Sequence, residues 1–527
     1  LFPYLFILNL FCGVYSMTLP TASPFPTEST TLVSIPGLDA LIPRPVSILP
    51  GSGRFVLDAK VCIRADVNST DVAWIAQNLA ESLRQATGAP FPVKTDEDSA
   101  QTGAISLSLS DEDAGFGEEG YRLEIRPDGV ELAARCPAGL FYATQTLRQM
   151  LPRQMLTGEA DQNGTCSLPA VSIRDFPRYG WRGVMLDVAR HFFGPADIRQ
   201  IIDQLAFYKI NRLHLHLTDD QGWRLEIHSW PELTRTGSTS AVGGDPGGFY
   251  TQAEYAEIVA YAARRGITIV PEVDTPGHTN AALASYAELN GDGKARELYT
   301  GTKVGFSTLC IEKDVTYRFL TDVMCEIAAL TPGEFIHIGG DEAASTPEAD
   351  YRVFIGRIQE IVRLAGKRMI GWEETTQVNL LPTSVVQIWN GKHAEHAVAQ
   401  SQKLIVSLAQ YAYLDMKYDA STSLGLDWAG VHEVKDFYDW EPTDILPGVR
   451  EENILGVEGA LWTETVRTRQ DVEFLTFPRL PGLAEVAWSP AGTRNWEEYR
   501  QRLANSGASM NALGIHFYRS PQVWKES

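Results

Sequence analysis

One pattern constrains the fold of this chain more than any other. Between Gly183 and Leu461 eight short, mostly apolar runs recur, nearly every one ending in a cluster of acidic, basic or aromatic side chains. The runs are Gly183 to Val188, Arg212 to Leu217, Thr268 to Val273, Phe335 to Ile338, Met369 to Trp372, Val385 to Trp389, Leu404 to Ser407 and Ile454 to Leu461. Between several of them lie segments with apolar residues three or four apart, such as Asp197 to Tyr208 and Glu254 to Arg265, as amphipathic helices require. The second follows Thr251-Gln-Ala-Glu254, a capping-box pattern, and stops before Gly266, a suitable left-handed C-terminal residue. Alternating strands and helices predict a parallel sheet, and eight of them predict a (β/α)8 barrel. A doubly wound open sheet uses the same alternation, because strand closure leaves no mark in a sequence.

Upstream, from Ile48 to Val171, short strands such as Ala104 to Leu109 and Gly120 to Ile125 alternate with helical stretches such as Val72 to Ala86 and Ala138 to Leu151. The expected order is a signal-like or disordered segment over 1–40, a smaller α/β domain over 41–176 and the barrel over 177–520. Leu1 to Tyr15 is apolar enough for the core of an export signal, but has no initiator Met or basic start and is short for a membrane span. Either it belongs to an export signal, giving a secreted protein, or Met17 is the start and the protein is cytoplasmic. Pro20 to Pro50, rich in Pro, Ser and Thr, is expected to be an extended, loosely ordered lead-in.

Sixty-six acidic against forty-five basic residues, a formal charge of −21, would repel a phosphate backbone over most of the surface. Nucleic acid is therefore not an expected partner, and oligomeric state is left open. Cys12, Cys62, Cys136, Cys166, Cys310 and Cys325 show neither C-x-x-C nor metal-type spacing, so no zinc or redox centre is expected. They read as buried thiols, with Cys136–Cys166 or Cys310–Cys325 as pairings open to an exported protein.

The chemistry lies where the runs end. Asp187 and Arg190 follow the first run, Asp219 and Asp220 the second, Asp274 and His278 the third, Asp341 and Glu342 the fourth. Trp372 and Glu373 mark the fifth, Trp389 the sixth, Tyr413 and Asp415 the seventh, Trp462 and Glu464 the eighth. In a barrel these positions share one rim, where barrel enzymes place their sites. A single acidic residue there reads as a helix cap or solvated loop; a ring of them does not. Carboxylates and an arginine suit hydroxyl groups, and tryptophans suit the apolar faces of a pyranose, so the ring points to sugar.

His337-Ile-Gly-Gly-Asp341-Glu342 is the sharpest segment. Its two glycines permit a tight exit from the strand, which frees two successive carboxylates from the opposite-facing geometry of a regular strand. A Gly-rich turn before a helix with acidic first residues would read alike. His214 and His216 alternate with Leu and read as hydrogen-bonded barrel histidines, since no third ligand stands at metal spacing.

Asp187-Val-Ala-Arg190-His-Phe, His216-Leu-Thr-Asp219-Asp-Gln-Gly-Trp223, Pro271-Glu-Val-Asp274-Thr-Pro-Gly-His278, His337-Ile-Gly-Gly-Asp341-Glu342, Tyr413-Leu-Asp415 and Leu461-Trp462-Thr-Glu464 together resemble the family 20 glycoside hydrolases, the β-N-acetylhexosaminidases. The likeness runs from about Tyr179 to Tyr518, and the preceding segment resembles the α/β domain usual before this barrel. The resemblance implies a retaining exo-hydrolase that removes terminal β-linked GlcNAc or GalNAc from an oligosaccharide or glycoconjugate, with the substrate's acetamido group as nucleophile. It implies no cofactor and no metal. It makes Glu342 the general acid and base, Asp341 the stabiliser of the acetamido N–H and Tyr413 the partner of its carbonyl. Trp372, Trp389 and Trp462 become the walls, and Arg190, Asp415 and Glu464 the readers of hydroxyl groups. Asp219 and His278 become polar support for the acid with Asp274 beside them, and Trp428 part of the entrance. A hydrolase releasing a disaccharide, like a lacto-N-biosidase, and a non-catalytic sugar-binding relative are the alternatives.

Overall fold

The computed structural model describes residues 35–95, 103–152, 166–444 and 447–524. The apolar run Leu1 to Tyr15, Met17 and Cys12 lie outside the described residues.

The chain first builds a seven-stranded mixed sheet from β1 (Ser47–Leu57), β2 (Cys62–Ala65), β3 (Val93–Lys94), β4 (Ala104–Leu109), β5 (Tyr121–Arg126), β6 (Gly129–Ala134) and β7 (Cys166–Asp175), in the order β1-β7-β5-β6-β4-β2-β3. Alternation sets its inner face: in β5, Tyr121, Leu123 and Ile125 are buried while Arg122 and Glu124 are less so. Helices Thr70–Thr87 and Pro137–Gln149 pack against it. The first is capped by Ser69, whose Oγ accepts the Val72 N–H, and closed by Gly88 in the left-handed conformation.

The lead-in expected to be loose is, from residue 35, part of the core. Leu38, Leu41 and Ile42 are buried. Arg502 donates to the Leu41 carbonyl at 2.7 Å, and Gln149 accepts the Ile42 N–H at 2.8 Å. Its Pro content suits extended backbone; up to Val46 such side-chain partners hold that backbone, and from Ser47 it pairs as β1 with β7. Neither suggested disulfide exists: Cys62, Cys136, Cys166, Cys310 and Cys325 are free thiols. Burial pushes the Cys166 thiol up to about 11.

Then follow β8 (Trp181–Asp187), β9 (Arg212–His216), the two-residue strands β10 (Thr218–Asp219) and β11 (Gly222–Trp223), and β12 (Thr268–Glu272). The chain continues through β13 (Phe335–His337), β14 (Arg368–Trp372), β15 (Val385–Ile388), β16 (Lys403–Val406) and β17 (Ile454–Leu461). All except the β10–β11 ribbon form a closed parallel barrel in which β8 pairs with both β9 and β17. The open-sheet alternative is thereby excluded. The capping box is present as read: Thr251 accepts the Glu254 N–H, and Glu254 accepts the Thr251 N–H at 2.9 Å. Among the described residues no helix is long and apolar enough to cross a membrane.

The barrel interior is layered. Trp181, Val270, Phe335, Ile370, Val385 and Ile405 form an apolar plug of their own near the strand N-termini. Above it Glu458 enters beside Gly183, where a Cβ would stand 2.1 Å from its Oε2, so only glycine leaves room. The sheet and the barrel meet at Asp175, which accepts hydrogen bonds from Lys209 at 3.2 Å, Trp488 at 2.9 Å and the Val46 N–H at 3.1 Å. Breaking such a buried pair by removing one partner costs about 3–5 kcal/mol.

Candidate active site

The strand ends deliver the site. Beyond β13 the chain turns through Gly339 (φ +69°) and Gly340 (φ +99°), and Glu342 itself takes φ +45°. A Cβ at Gly339 would stand 1.7 Å from Asp274 Oδ1, and the Gly340 N–H donates to that oxygen at 3.2 Å. The turn puts both carboxylates within reach of one nitrogen: His278 Nε2 is 3.7 Å from Asp341 Oδ2 and 3.5 Å from Glu342 Oε2.

Behind them Asp219 is the junction. It accepts from Arg190 at 2.7 Å and His216 at 3.0 Å, and its Oδ1 lies 3.3 Å from His278 Nδ1. Burial opposes its ionisation, but Arg190 and His278 overrule it and hold the carboxyl well below the usual range. Burial likewise opposes charge on His278, whereas Asp219 and Asp274 keep its pKa well above that of a free imidazole. Asp341 moves the other way. Burial raises it, His278 partly offsets this and the Glu342 charge adds to it, leaving its pKa at about 6.

In front of the pair opens a cavity of about 320 Å³. Asp341, Glu342, Tyr413 and the tryptophans 372, 389 and 462 line it, with Arg190, Asp415 and Glu464 at its polar end and Trp428 at the mouth. Trp428 is 56% exposed. Tyr413 is fixed by packing with Met185, Met416 and Ala460, and bridges to β17 at Ala460. Burial and the charge of Asp415 hold its hydroxyl pKa well above the usual value, so it is a donor at working pH. Both carboxylate oxygens of Asp415, Glu464 Oε2, Arg190 Nε and Asp341 Oδ1 are buried without a hydrogen-bond partner. Each such atom costs about 1–3 kcal/mol unless something polar meets it, which marks the space as a ligand site.

Three candidates stand one layer back, outside the cavity lining. Asp219 and His278 lie behind Asp341 and Glu342, linked through His278. Asp274 does not line the cavity as a substrate contact, because its Oδ1 is occupied by the Gly340 N–H. Burial and the nearby Asp341 charge push its pKa well above the carboxylate range. Glu373 at the end of β14 is an anchor, accepting the backbone N–H groups of Trp389, Asn390, Gly391 and His393 at 2.7–3.0 Å.

Sequence reasoning missed Glu374, although the strand-end rule that named Glu373 reaches it. Its two oxygens accept the Trp389 indole N–H at 3.1 and 3.2 Å, and burial together with the Asp341 charge lifts its pKa to about 8. Thr302, Val304 and Leu426, which also line the cavity, lie on loops far from any strand end and carried no signal. His214, Glu272 and His337 bring one possible ligand atom each within 4.8 Å of one another. A metal there would have to displace the hydrogen bonds by which Glu272 is already held.

Paired carboxylates, an arginine and aromatic walls at the C-terminal rim of a (β/α)8 barrel define a glycoside hydrolase. The glycosyl hydrolase family 20 catalytic-domain model matches residues 179–491, and the family's domain 2 model matches residues 39–176. The chain belongs to glycosyl hydrolase family 20, and its activity class is β-N-acetylhexosaminidase. It is 44% identical to a β-N-acetylhexosaminidase of Cellulomonas fimi, over 92% of this chain and 97% of that one. The solved β-N-acetylhexosaminidase of Streptomyces coelicolor A3(2) superposes with a TM-score of 0.88 at 49% identity, covering 92% of this chain and 98% of that chain. A mutant Streptomyces plicatus β-hexosaminidase, solved with its product GlcNAc, gives a TM-score of 0.87 at 47% identity, covering 94% and 99%.

Proposed function

We propose that this chain is a retaining exo-β-N-acetylhexosaminidase that hydrolyses terminal β-linked GlcNAc or GalNAc with the substrate's acetamido oxygen as nucleophile. The supporting observation is that Asp341 and Glu342 leave one turn side by side, facing a single cavity walled by Tyr413 and three tryptophans. A retaining enzyme with its own nucleophile needs a carboxylate across the ring from the acid. Here the second carboxylate stands beside the acid, where it suits an acetamido group drawn beneath C1.

Glu342 protonates the glycosidic oxygen as the bond breaks, then as carboxylate activates water. The acetamido oxygen attacks C1, giving an oxazolinium ion. Asp341 accepts the acetamido N–H and balances the positive charge, and Tyr413 donates to the attacking oxygen and orients it. Trp372, Trp389 and Trp462 close around the N-acetyl group and the ring. Arg190 meets the 3- and 4-hydroxyls, and Asp415 and Glu464 the 4- and 6-hydroxyls, giving the orphaned polar atoms their partners. Polar groups gathered at one end to read the 4- and 6-hydroxyls of a terminal sugar support monosaccharide release over a disaccharide-releasing enzyme. GlcNAc, the product held by the Streptomyces plicatus relative, is the first sugar to test.

Product analysis of a lacto-N-type tetrasaccharide, after its terminal galactose is removed, checks this reading. GlcNAc alone should appear; release of the disaccharide from the intact tetrasaccharide would refute the monosaccharide-releasing assignment. Arg190→Ala should lower kcat/KM for an aryl N-acetylglucosaminide by about 10²-fold, since hydroxyls lose a charged donor and Asp219 loses a partner. Unchanged kinetics would remove Arg190 from the site.

A further inference from the structure

Beneath the cavity a polar column runs into the barrel. From Glu342 it passes to His278, to Asp219 and to His216. His216 Nδ1 is 2.6 Å from Glu272 Oε2, His214 Nε2 is 3.0 Å from the same oxygen, and His214 Nδ1 is 2.8 Å from Glu458 Oε1. Carboxylates and imidazoles alternate throughout, and Asp219, Glu272, Glu458 and the histidines 214, 216 and 278 are all buried. Glu272 has the most contacts: its Oε1 also accepts the Trp372 indole N–H at 3.1 Å and lies 3.0 Å from His337 Nδ1. Parallel register creates the cluster, pairing His216 with Glu272 and Glu272 with His337.

We propose that Glu272 is a positioning residue, which as the centre of this column fixes both the imidazolium chain behind Glu342 and the indole wall of Trp372. The inference rests on the reading of Glu342 as the acid. A neutral imidazole has one N–H, yet His214, His216 and His278 each present both ring nitrogens to carboxylate oxygens. His216 is hydrogen-bonded through both nitrogens and so carries two protons, while Nε2 of His214 and of His278 face their carboxylates at 3.0 and 3.5 Å without a completed hydrogen bond. Burial alone would make them neutral; the facing carboxylates overrule it, raising His214 to about 9 and the other two well above the usual value. The other charged or titratable groups facing the column are Asp341 and Asp220 against His278, His337 on β13, Asp274 after β12, and Arg190 and Asp187 at the Asp219 end. A glutamine at 272 cannot serve both sides. Whichever way its amide turns, an NH2 faces either His216 and His214 or Trp372, donor against donor.

The test uses the full chain with ¹⁵N-labelled histidine. In the wild type three imidazoles should remain doubly protonated at about pH 8, where an ordinary histidine is neutral; in Glu272→Gln at least one of the three should lose a proton. If all ten histidines titrate in the ordinary range, the column is wrong, and this reading holds even for a wild type that cleaves nothing, which would instead refute the proposed function. In kinetics Glu272→Gln should lose about 30-fold or more on an alkyl N-acetylglucosaminide but under about 5-fold on a dinitrophenyl one, because the defect passes through Glu342. An equal loss on both, with an unchanged pH profile, would reduce Glu272 to a structural residue. Should Glu272→Gln fail to fold, His216→Gln cuts the same chain while sparing the Trp372 bond, and the same unequal loss is expected.

Discussion

Glu342→Gln should slow hydrolysis of a methyl or sugar N-acetylglucosaminide by about 10²- to 10⁴-fold, the usual worth of a placed general acid. It should slow a dinitrophenyl N-acetylglucosaminide far less in the bond-breaking step, because that leaving group departs without a proton. Water attack on the intermediate still needs a base, so the aryl substrate should show a burst followed by slow turnover, and azide, which needs no deprotonation, should restore the slow step. Pre-steady-state kinetics on both substrates check this. Equal losses with no burst would take the acid role from Glu342. The geometry makes the experiment clean: Glu342 sits at the cavity mouth with its side chain 38% exposed, so an isosteric amide disturbs little packing.

Asp341→Asn should cost about 10³-fold in kcat with every leaving group, since it removes the charge facing the oxazolinium ion, whichever group leaves. The same residue sets the acid limb of the pH profile. Its pKa is raised to about 6 by burial and the Glu342 charge. Above that value Asp341 is ionised and active; as pH falls through it the carboxylate is protonated and the charge that balances the intermediate is lost. In the wild type kcat/KM should therefore decline below about pH 6, and in Asp341→Asn that limb should vanish. Persistence of the limb in Asp341→Asn would assign it to another group.

The barrel was legible because its strands are short apolar runs separated by amphipathic helices, and the rim was legible because strand ends carried the polar residues. Closure was not legible, since it is made by β8 pairing with β17 across the whole length of the domain. Asp274 shows the limit for site residues. Its position at a strand end put it near the rim, but its carboxyl meets Gly339 and Gly340 in the turn after β13, where Oδ1 accepts the Gly340 N–H. Thr302, Val304 and Leu426 reach the cavity from loops whose course depends on the folded barrel. The lead-in was misjudged from 35 onward because Pro, Ser and Thr content reports local stiffness and neither the long-range bonds from Gln149 and Arg502 at Leu41 and Ile42 nor the pairing of Ser47–Pro50 with β7.

The central claim, that the nucleophile belongs to the substrate, is tested most directly by changing that nucleophile alone. Aryl N-acetylglucosaminides carrying one, two or three fluorines on the acetyl group have progressively weaker carbonyl oxygens at nearly constant shape. A well-held internal nucleophile acts with an effective molarity of ~10⁵ M or more, so weakening it should lower kcat stepwise by orders of magnitude, and the 2-hydroxyl glucoside should hardly react. A kcat that stays level across the series while chemistry is rate-limiting, or a glycosyl ester trapped on a protein carboxylate, would contradict the account.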